Sequence, residues 1–405
     1  MLKRLHLLLA LFILTVNAAM AQITTSGISG KITSDGENVI GATVTAIHQP
    51  SGTVYRAVTN IDGRYTIQGM RPGGPYKVDI SYIGYKDKVI KNLNLSLGET
   101  ENISCSLQED AHQLQEVVVS GKAGLAASRT GAATSMTAEQ INNMPSITHG
   151  IADVARLNPQ LTVTNSGNMS FAGVNNRYNN FMIDGAANND VFGLASSGNN
   201  GGQAGAQPVS METIEQIQVS VAPFDVRQSG FTGGAINAIT KSGTNQFHGS
   251  AYYYGYNQDL IGTKYPYLDG TGYAPKYQKQ TQYNMGVTLG GPIIKNKLFF
   301  FANYERTNKE YPNLYGVDSG NSKVNTEQAK DILTMLQNIA EKQGVNFNDY
   351  YSNQDIYTKS DKAGLKLDWN INEFNKFAIR WSLVKAEQLS GGGSASSLNS
   401  YGYSY

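Results

Sequence analysis

Apolar and polar positions alternate with two distinct textures along this chain. From residue 23 to 108, short β-rich pieces recur between turn signals: ATVTAIH (42–48), TVYRAVT (53–59), RYTIQGM (64–70) and YKVDISYIGY (76–85). Ser34-Asp35-Gly36, Pro50-Ser51-Gly52, Asp62-Gly63 and Arg71-Pro72-Gly73-Gly74-Pro75 separate them. Regularly spaced short strands predict an all-β sandwich. From residue 247 onward, five longer segments follow: 248–257, 283–290, 297–306, 362–369 and 376–385. Tyr283, Met285, Val287 and Leu289 alternate with Asn284, Gly286 and Thr288. Ala363, Leu365, Leu367 and Trp369 alternate with Gly364, Lys366 and Asp368. Phe377, Ile379, Trp381 and Leu383 alternate with Ala378, Arg380 and Ser382. Segments of about ten residues with one apolar and one polar face predict transmembrane barrel strands. Short connections (291–296 and 370–375) alternate with long ones (258–282 and 307–361), the rhythm of periplasmic turns and extracellular loops. The second long loop carries a helix-like stretch from Thr326 to Gln343, and residues 391–405 are expected to begin a third.

Between these regions the texture is mixed. Thr137-Ala138-Glu139-Gln140 opens one predicted helix, and Ile147 to Asn158 forms another, ended by Pro159. Strand-rich pieces at 170–185, 211–223 and 233–243 surround a Gly/Asn/Ser tract (193–206). Ahead of this compact region, Glu116-Val117-Val118-Val119-Ser120 is a brief strand-competent run between polar, small-residue flanks (109–115 and 121–135). It reads either as a segment for pairing with a partner or as the last strand of the sandwich.

The N-terminus settles the compartment. Lys3 and Arg4 precede the apolar run Leu5 to Val16, and Ala19-Met20-Ala21 supplies a small-residue cleavage pattern, so a signal peptide is predicted over 1–21. The run is too short for the roughly 20 residues of a spanning helix. Charged residues make up 16% of the chain, below the roughly 25% of ordinary soluble domains, while Gly (43) and Tyr (24) are plentiful. A net charge of +1 gives no reason to expect nucleic acid. Cys105 is the single cysteine, so no internal disulfide forms; its alternating setting suits a small buried hydrophobe. His48, His112, His149 and His248 are scattered, and none begins a His-x-x-Glu pair. Neither G-x-S-x-G, H-E-x-x-H nor a Walker loop is present, and Gly27 to Lys31 is too short for a phosphate loop. No catalytic, cofactor or metal residues are assigned.

In order, a leader, a sandwich, a short valine run, a mixed domain and barrel strands resemble the TonB-dependent outer-membrane receptors, most closely the Oar-like (OmpA-related) branch. The phrases carrying the resemblance are Gly41-Ala42-Thr43-Val44, Asp62 to Ile67 and Pro72 to Tyr76 for a carboxypeptidase-regulatory-like domain. Phe181 to Gly185 matches the plug, Lys241 to Asn245 with His248 to Ser250 the plug-to-barrel passage, and Gly290 to Ile294 with Phe299 to Phe301 the barrel. The expected fold is mainly β: a sandwich over 22–108, a linker over 109–135, a mixed α/β plug over 136–246, and about five antiparallel strands of a barrel over 247–405. The resemblance implies an importer in the outer membrane with its sandwich in the periplasm. It binds a scarce extracellular ligand, contacts outer-membrane lipids and takes energy from TonB and the inner-membrane complex behind it. Glu116, Val117, Val118, Val119 and Ser120 are then the TonB box. Asp184 and Gly185 either form a plain turn, the commoner meaning of Asp-Gly, or position plug loops beneath the ligand; Arg177 and Tyr178 either face the lumen or sit in a solvated loop. Five strands would leave open edges whose unsatisfied groups cost on the order of 20 kcal/mol in lipid, and a plug of this size requires a barrel far larger than eight strands, about 22 in this family. The chain is therefore expected to be an N-terminal fragment. A surface adhesion or assembly protein without transport, or a non-functional truncated product, are the alternatives.

Overall fold

The computed structural model describes residues 24–109, 117–120, 132–144, 146, 149–164, 168–190, 192–195, 197–221, 231–260, 279–313, 326–344, 355–394 and 397–404. The predicted leader, Glu116 and the linker residues 121–131 lie outside the described residues.

The first region is a sandwich of two sheets. Its strands are β1 (Ser26–Ser34), β2 (Glu37–Asn38), β3 (Thr43–His48), β4 (Thr53–Val58), β5 (Arg64–Met70), β6 (Gly73–Ser81), β7 (Lys88–Leu95), β8 (Thr100–Asn102), β9 (Cys105–Ser106) and β10 (Val117–Ser120). One sheet runs β2-β1-β5 with β8 and β9 beside β1; the other runs β10-β7-β6-β3-β4. β1 turns into β2 through Asp35 and Gly36, both at positive φ (47° and 88°), the backbone that a two-residue hairpin needs for its twist. Period-two alternation sends Ile28, Ile32, Tyr65 and Ile67 from one sheet against Val44, Ala46, Tyr76, Val78 and Ile80 from the other, forming a closed apolar core.

The second region holds β11 (Ala132–Thr137), α1 (Ala138–Asn143), α2 (Ile151–Ala155), β12 (Leu161–Val163), β13 (Met169–Phe171), β14 (Asn180–Ile183), β15 (Ala186–Ala187), β16 (Ile214–Val221) and β17 (Gly234–Thr240). Thr137 and Gln140 close a reciprocal capping box at the start of α1. The second helix is shorter than its sequence pattern, beginning only at Ile151. The central sheet runs β11-β16-β17-β14-β15, with β14 parallel to β17 and both buried throughout. Phe171, Phe181, Ile217, Val219 and Ile236 fill the space beneath α1 and α2.

The third region is one antiparallel meander of β18 (His248–Asn257), β19 (Thr281–Ile294), β20 (Leu298–Tyr311), β21 (Ile356–Asn370), β22 (Lys376–Ser394) and β23 (Ser397–Ser404). The helix-like stretch becomes α3 (Thr326–Gln343), with the predicted limits. Two expectations need correction. Among the described residues there are six strands where about five were expected, because the segment expected as a third long loop continues β22 to Ser394 and returns as β23, Leu389 pairing with Tyr403. The four strands β19 to β22 also extend well past ten residues, since backbone pairing continues beyond the apolar band: β20 and β21 remain in register out to Tyr311 and Ile356. The sheet is unclosed among the described residues, and no helix there is long and apolar enough to cross a membrane, which has no bearing on crossing by strands.

Candidate plug seam and partner-binding segment

The faces of the meander are inverted relative to a soluble sheet. Along β21 and β22, Ala363 pairs with Leu383, Leu365 with Trp381, Leu367 with Ile379 and Trp369 with Phe377, all on one face. On that face Leu365, Trp369, Phe377, Ile379, Trp381 and Leu383 are exposed. The intervening positions face inward and include the buried polar side chains of Lys362, Lys366 and Asp368, joined by Glu305 on β20. An apolar exterior with a polar interior is the arrangement of a barrel wall in lipid.

The inward charges are not left alone. Lys366 lies directly opposite Arg380 across the β21–β22 pair, a like-charge juxtaposition that by itself destabilises a sheet. Asp184 of the plug reaches between them. Its carboxylate accepts from Lys366 Nζ at 3.2 Å and stands 3.4 Å from Arg380 Nε. The same carboxylate accepts from the Thr240 amide at 2.9 Å and the Thr240 hydroxyl at 2.6 Å, while Lys366 also donates to the Thr240 carbonyl at 3.0 Å. Asp184 can project this way because it and Gly185 occupy the two central positions of the β14–β15 hairpin, with φ of 48° and 81°. Asn and Asp tolerate the left-handed region and Gly enters it freely. The Asp-Gly pair is thus a turn, and one that delivers a carboxylate to the wall.

A second tie lies higher on the wall. Glu305 accepts from Lys362 Nζ at 2.6 Å, from the Tyr252 hydroxyl at 2.7 Å and from the plug's Ser210 hydroxyl at 2.5 Å. Tyr254 donates to Glu212 of the plug at 2.9 Å and stacks on His149 with ring centroids 3.9 Å apart. Lys366 and Arg380 were legible only as inward polar positions, and Lys362 and Glu305 were not singled out; the plug residues they meet lie far away in the chain.

The other predicted residues lie elsewhere. Arg177 donates to the Gly193 carbonyl at 2.9 Å, bracing a plug loop, and Tyr178 is exposed beside it. Asp190 organises the same loop: its carboxylate accepts from the Ala195 and Phe192 amides, which hold it below the usual carboxylate range. Residues 117–120 form β10, paired in parallel with the outer strand of the sandwich: Val117 with Lys88, Val118 with Val89, Val119 with Ile90 and Ser120 with Lys91.

The sandwich rests on both other regions. The Leu97 amide donates to Gln216 Oε1 and its carbonyl accepts from Gln218 Nε2, each at 2.8 Å, clamping plug strand β16. Arg56 meets Glu373 in the β21–β22 turn at 2.7 Å, Asn370 donates to Thr53 at 2.9 Å, and Lys376 Nζ stands 3.4 Å from the centre of the Tyr55 ring. A cavity of about 380 Å³ remains where the three regions meet, bordered by His48 and Arg71 of the sandwich, Thr240 of the plug, and Asp368 and Phe377 of the wall. Burial and the nearby Arg71 push the His48 imidazole down to about 3, keeping it neutral. Burial raises the Cys105 thiol, as expected for a packing residue. Among the described residues, no three His, Cys, Asp or Glu side chains are grouped to hold a metal ion.

Three family models match in succession: the carboxypeptidase regulatory-like domain over 27–108, the TonB-dependent receptor plug domain over 126–236 and an outer membrane beta barrel domain over 239–317. Together and in this order, these are the domains of a TonB-dependent receptor. The chain is 29% identical over 259 residues to the TonB-dependent transporter Oar of Myxococcus xanthus, covering 61% of this chain and 23% of that one. It is 25% identical over 188 residues to the probable TonB-dependent siderophore receptor PirA of Acinetobacter baumannii, covering 42% of this chain and 22% of that one. Among solved structures, the outer membrane transporter YddB from Escherichia coli aligns with a TM-score of 0.43 at 14% identity, over 65% of this chain and 34% of that one. The chain therefore spans less than a quarter of the length of these curated relatives. The receptor's place is the outer membrane.

Proposed function

We propose that this receptor binds a scarce extracellular ligand and imports it across the outer membrane with work delivered by periplasmic TonB and its inner-membrane complex, and that it is not an enzyme. The observation that carries the reading is the seam in which the Asp184 carboxylate pairs with two opposed wall cations. A plug fixed by such ties closes the wall, and buried ion pairs are costly to break one-sidedly, about 3–5 kcal/mol, so passage requires external work. Residues 116–120 are where that work enters: an extended valine run can add as a strand to a partner's sheet edge. Arg177 and Tyr178, in the exposed plug loops, contact the ligand, and Asp184 with Gly185 holds those loops in place from below. Val118→Pro removes a backbone donor from the segment. It is expected to abolish capture of TonB's periplasmic domain and TonB-dependent uptake while leaving the receptor folded. Unchanged capture removes the assignment of 116–120; dependence on TonB also separates import from an adhesive or assembly role.

A further inference from the structure

The sandwich touches the plug and the wall at once, on the side of the wall's short turns. Toward the plug, Leu97 is fully buried, and its amide and carbonyl are held by Gln216 and Gln218. Two positions apart on β16, these side chains share one face of the plug sheet, and they are only 2% and 6% exposed. Ile217 and Val219, on the opposite face, pack into the plug core. Alternation thus gives the plug a second, polar face, and buried amides need partners. The sandwich supplies them. Toward the wall, the Asn245 amide, in the passage from plug to barrel, donates to the Pro50 carbonyl at 2.8 Å. The Asn245 side chain exchanges two bonds, of 2.7 and 2.8 Å, with Asn296 in the β19–β20 turn. Gly52 packs so closely on Asn296 that a Cβ there would collide with it. Thr53 and Arg56 hold the next turn, β21–β22.

The cavity at this junction shows what the docking closes. On one side it meets the seam, through Asp184, Thr240 and Lys366; on the other it meets His48, Tyr55 and Arg71 of the sandwich. A solute that passed Asp184 would therefore enter a chamber still walled by the sandwich. Nor can the plug retreat toward the short turns while a body with its own closed core is fastened across both sides of the seam. We propose that the sandwich is an inner gate: it holds the plug against the wall, and it must leave Gln216, Gln218 and the two turns before the passage opens. This gives the sandwich a function of its own, and it rests on reading the chain as a plugged importer. The seam and the gate are then two closures in series, one inside the wall and one at its inner rim.

The test needs neither the natural ligand nor TonB. The full-length receptor is placed in a planar lipid bilayer, with potassium chloride current as the probe and urea on the periplasmic side to loosen the plug. In a Cys105→Ser background, Arg56→Cys and Glu373→Cys put thiols at two exposed positions that meet across the docking, where a short bis-maleimide joins sandwich to wall. The joined receptor is expected to open at least about tenfold less often than the unjoined one at the same urea concentration, since the link returns the sandwich to its dock. Gln218→Leu with Arg56→Glu removes one hydrogen bond and reverses an ion pair, and should open about tenfold more often than the unaltered receptor. Equal opening of joined and unjoined receptor overturns the gate, as does a weakened variant that opens no more often. Thiols that each take a maleimide singly but are never joined also overturn it, because the sandwich is then not resident on the wall. An unjoined receptor that stays closed to ions at every urea concentration removes the importer reading along with the gate.

Discussion

The sandwich and the barrel wall are built from the same period-two alternation and bury opposite faces. In the sandwich, Val44, Ala46, Val78 and Ile80 are fully buried, and polar side chains lie outside in water. In the wall, Leu365, Trp381 and Leu383 are exposed, while Lys362 and Glu305 are only 5% and 6% exposed. Alternation specifies a strand; the medium on each side decides which set of residues turns inward. The sandwich excludes water to gain apolar burial, whereas the wall gains the same contact from lipid and reserves its interior for paired charge. Removing one residue should consequently fail in different ways in the two regions.

The largest effect is expected inside the wall. Glu305→Ala leaves Lys362 buried without its carboxylate and removes the acceptor of both Tyr252 and Ser210. A loss of about 4 kcal/mol follows from stranding a buried charge, readable as a lower unfolding temperature in heat-dependent gel mobility. Next comes the sandwich core, where Ile80→Ala opens a cavity and should cost about 3 kcal/mol, measured by denaturant titration. A fall of under 1 kcal/mol would mean that this core is loosely packed. On the outward faces the comparison sharpens. Leu365→Arg should cost about 2–3 kcal/mol for refolding into vesicles, as a cation placed against hydrocarbon. Val58→Arg, on an exposed sandwich strand, should stay within about 0.5 kcal/mol. Equal costs would contradict a lipid-facing wall.

Smaller than the effects in the wall and the core is a pH dependence confined to the sandwich. His48 has a folded value of about 3 against an ordinary 6.5. Between those values the unfolded chain binds a proton that the folded chain does not, so stability falls as pH falls from about 6.5 toward 3. By pH 5 the loss should be about 2 kcal/mol, and His48→Asn should flatten that slope in a denaturation series.

Most of the architecture was legible in the chain. Tyr283 to Leu289 and Phe377 to Leu383 display their outward faces directly, and the helix over 326–343 is local enough to be read from its own residues. The site was less legible because its pairings are distant: Lys366 meets Asp184 across 182 positions of sequence, and no periodicity encodes that. Asp184-Gly185 was readable as a turn from backbone tolerance alone, but not what the turn's carboxylate would touch. The valine run left two readings open; in the structure Val117 to Ser120 pair with β7 of the sandwich. The return strand β23 was missed because Gly391 to Ser400 is rich in Gly and Ser, a composition that carries little β signal.

The opposition of Lys366 and Arg380 bears also on how the wall is assembled. A slip of β22 by one residue against β21 would turn Arg380 toward lipid and Trp381 toward the plug, exchanging every side chain on the strand. Lipid opposes that error from outside. From inside, Asp184 finds both of its cations only in the correct alignment, so the plug proofreads the wall it rests against.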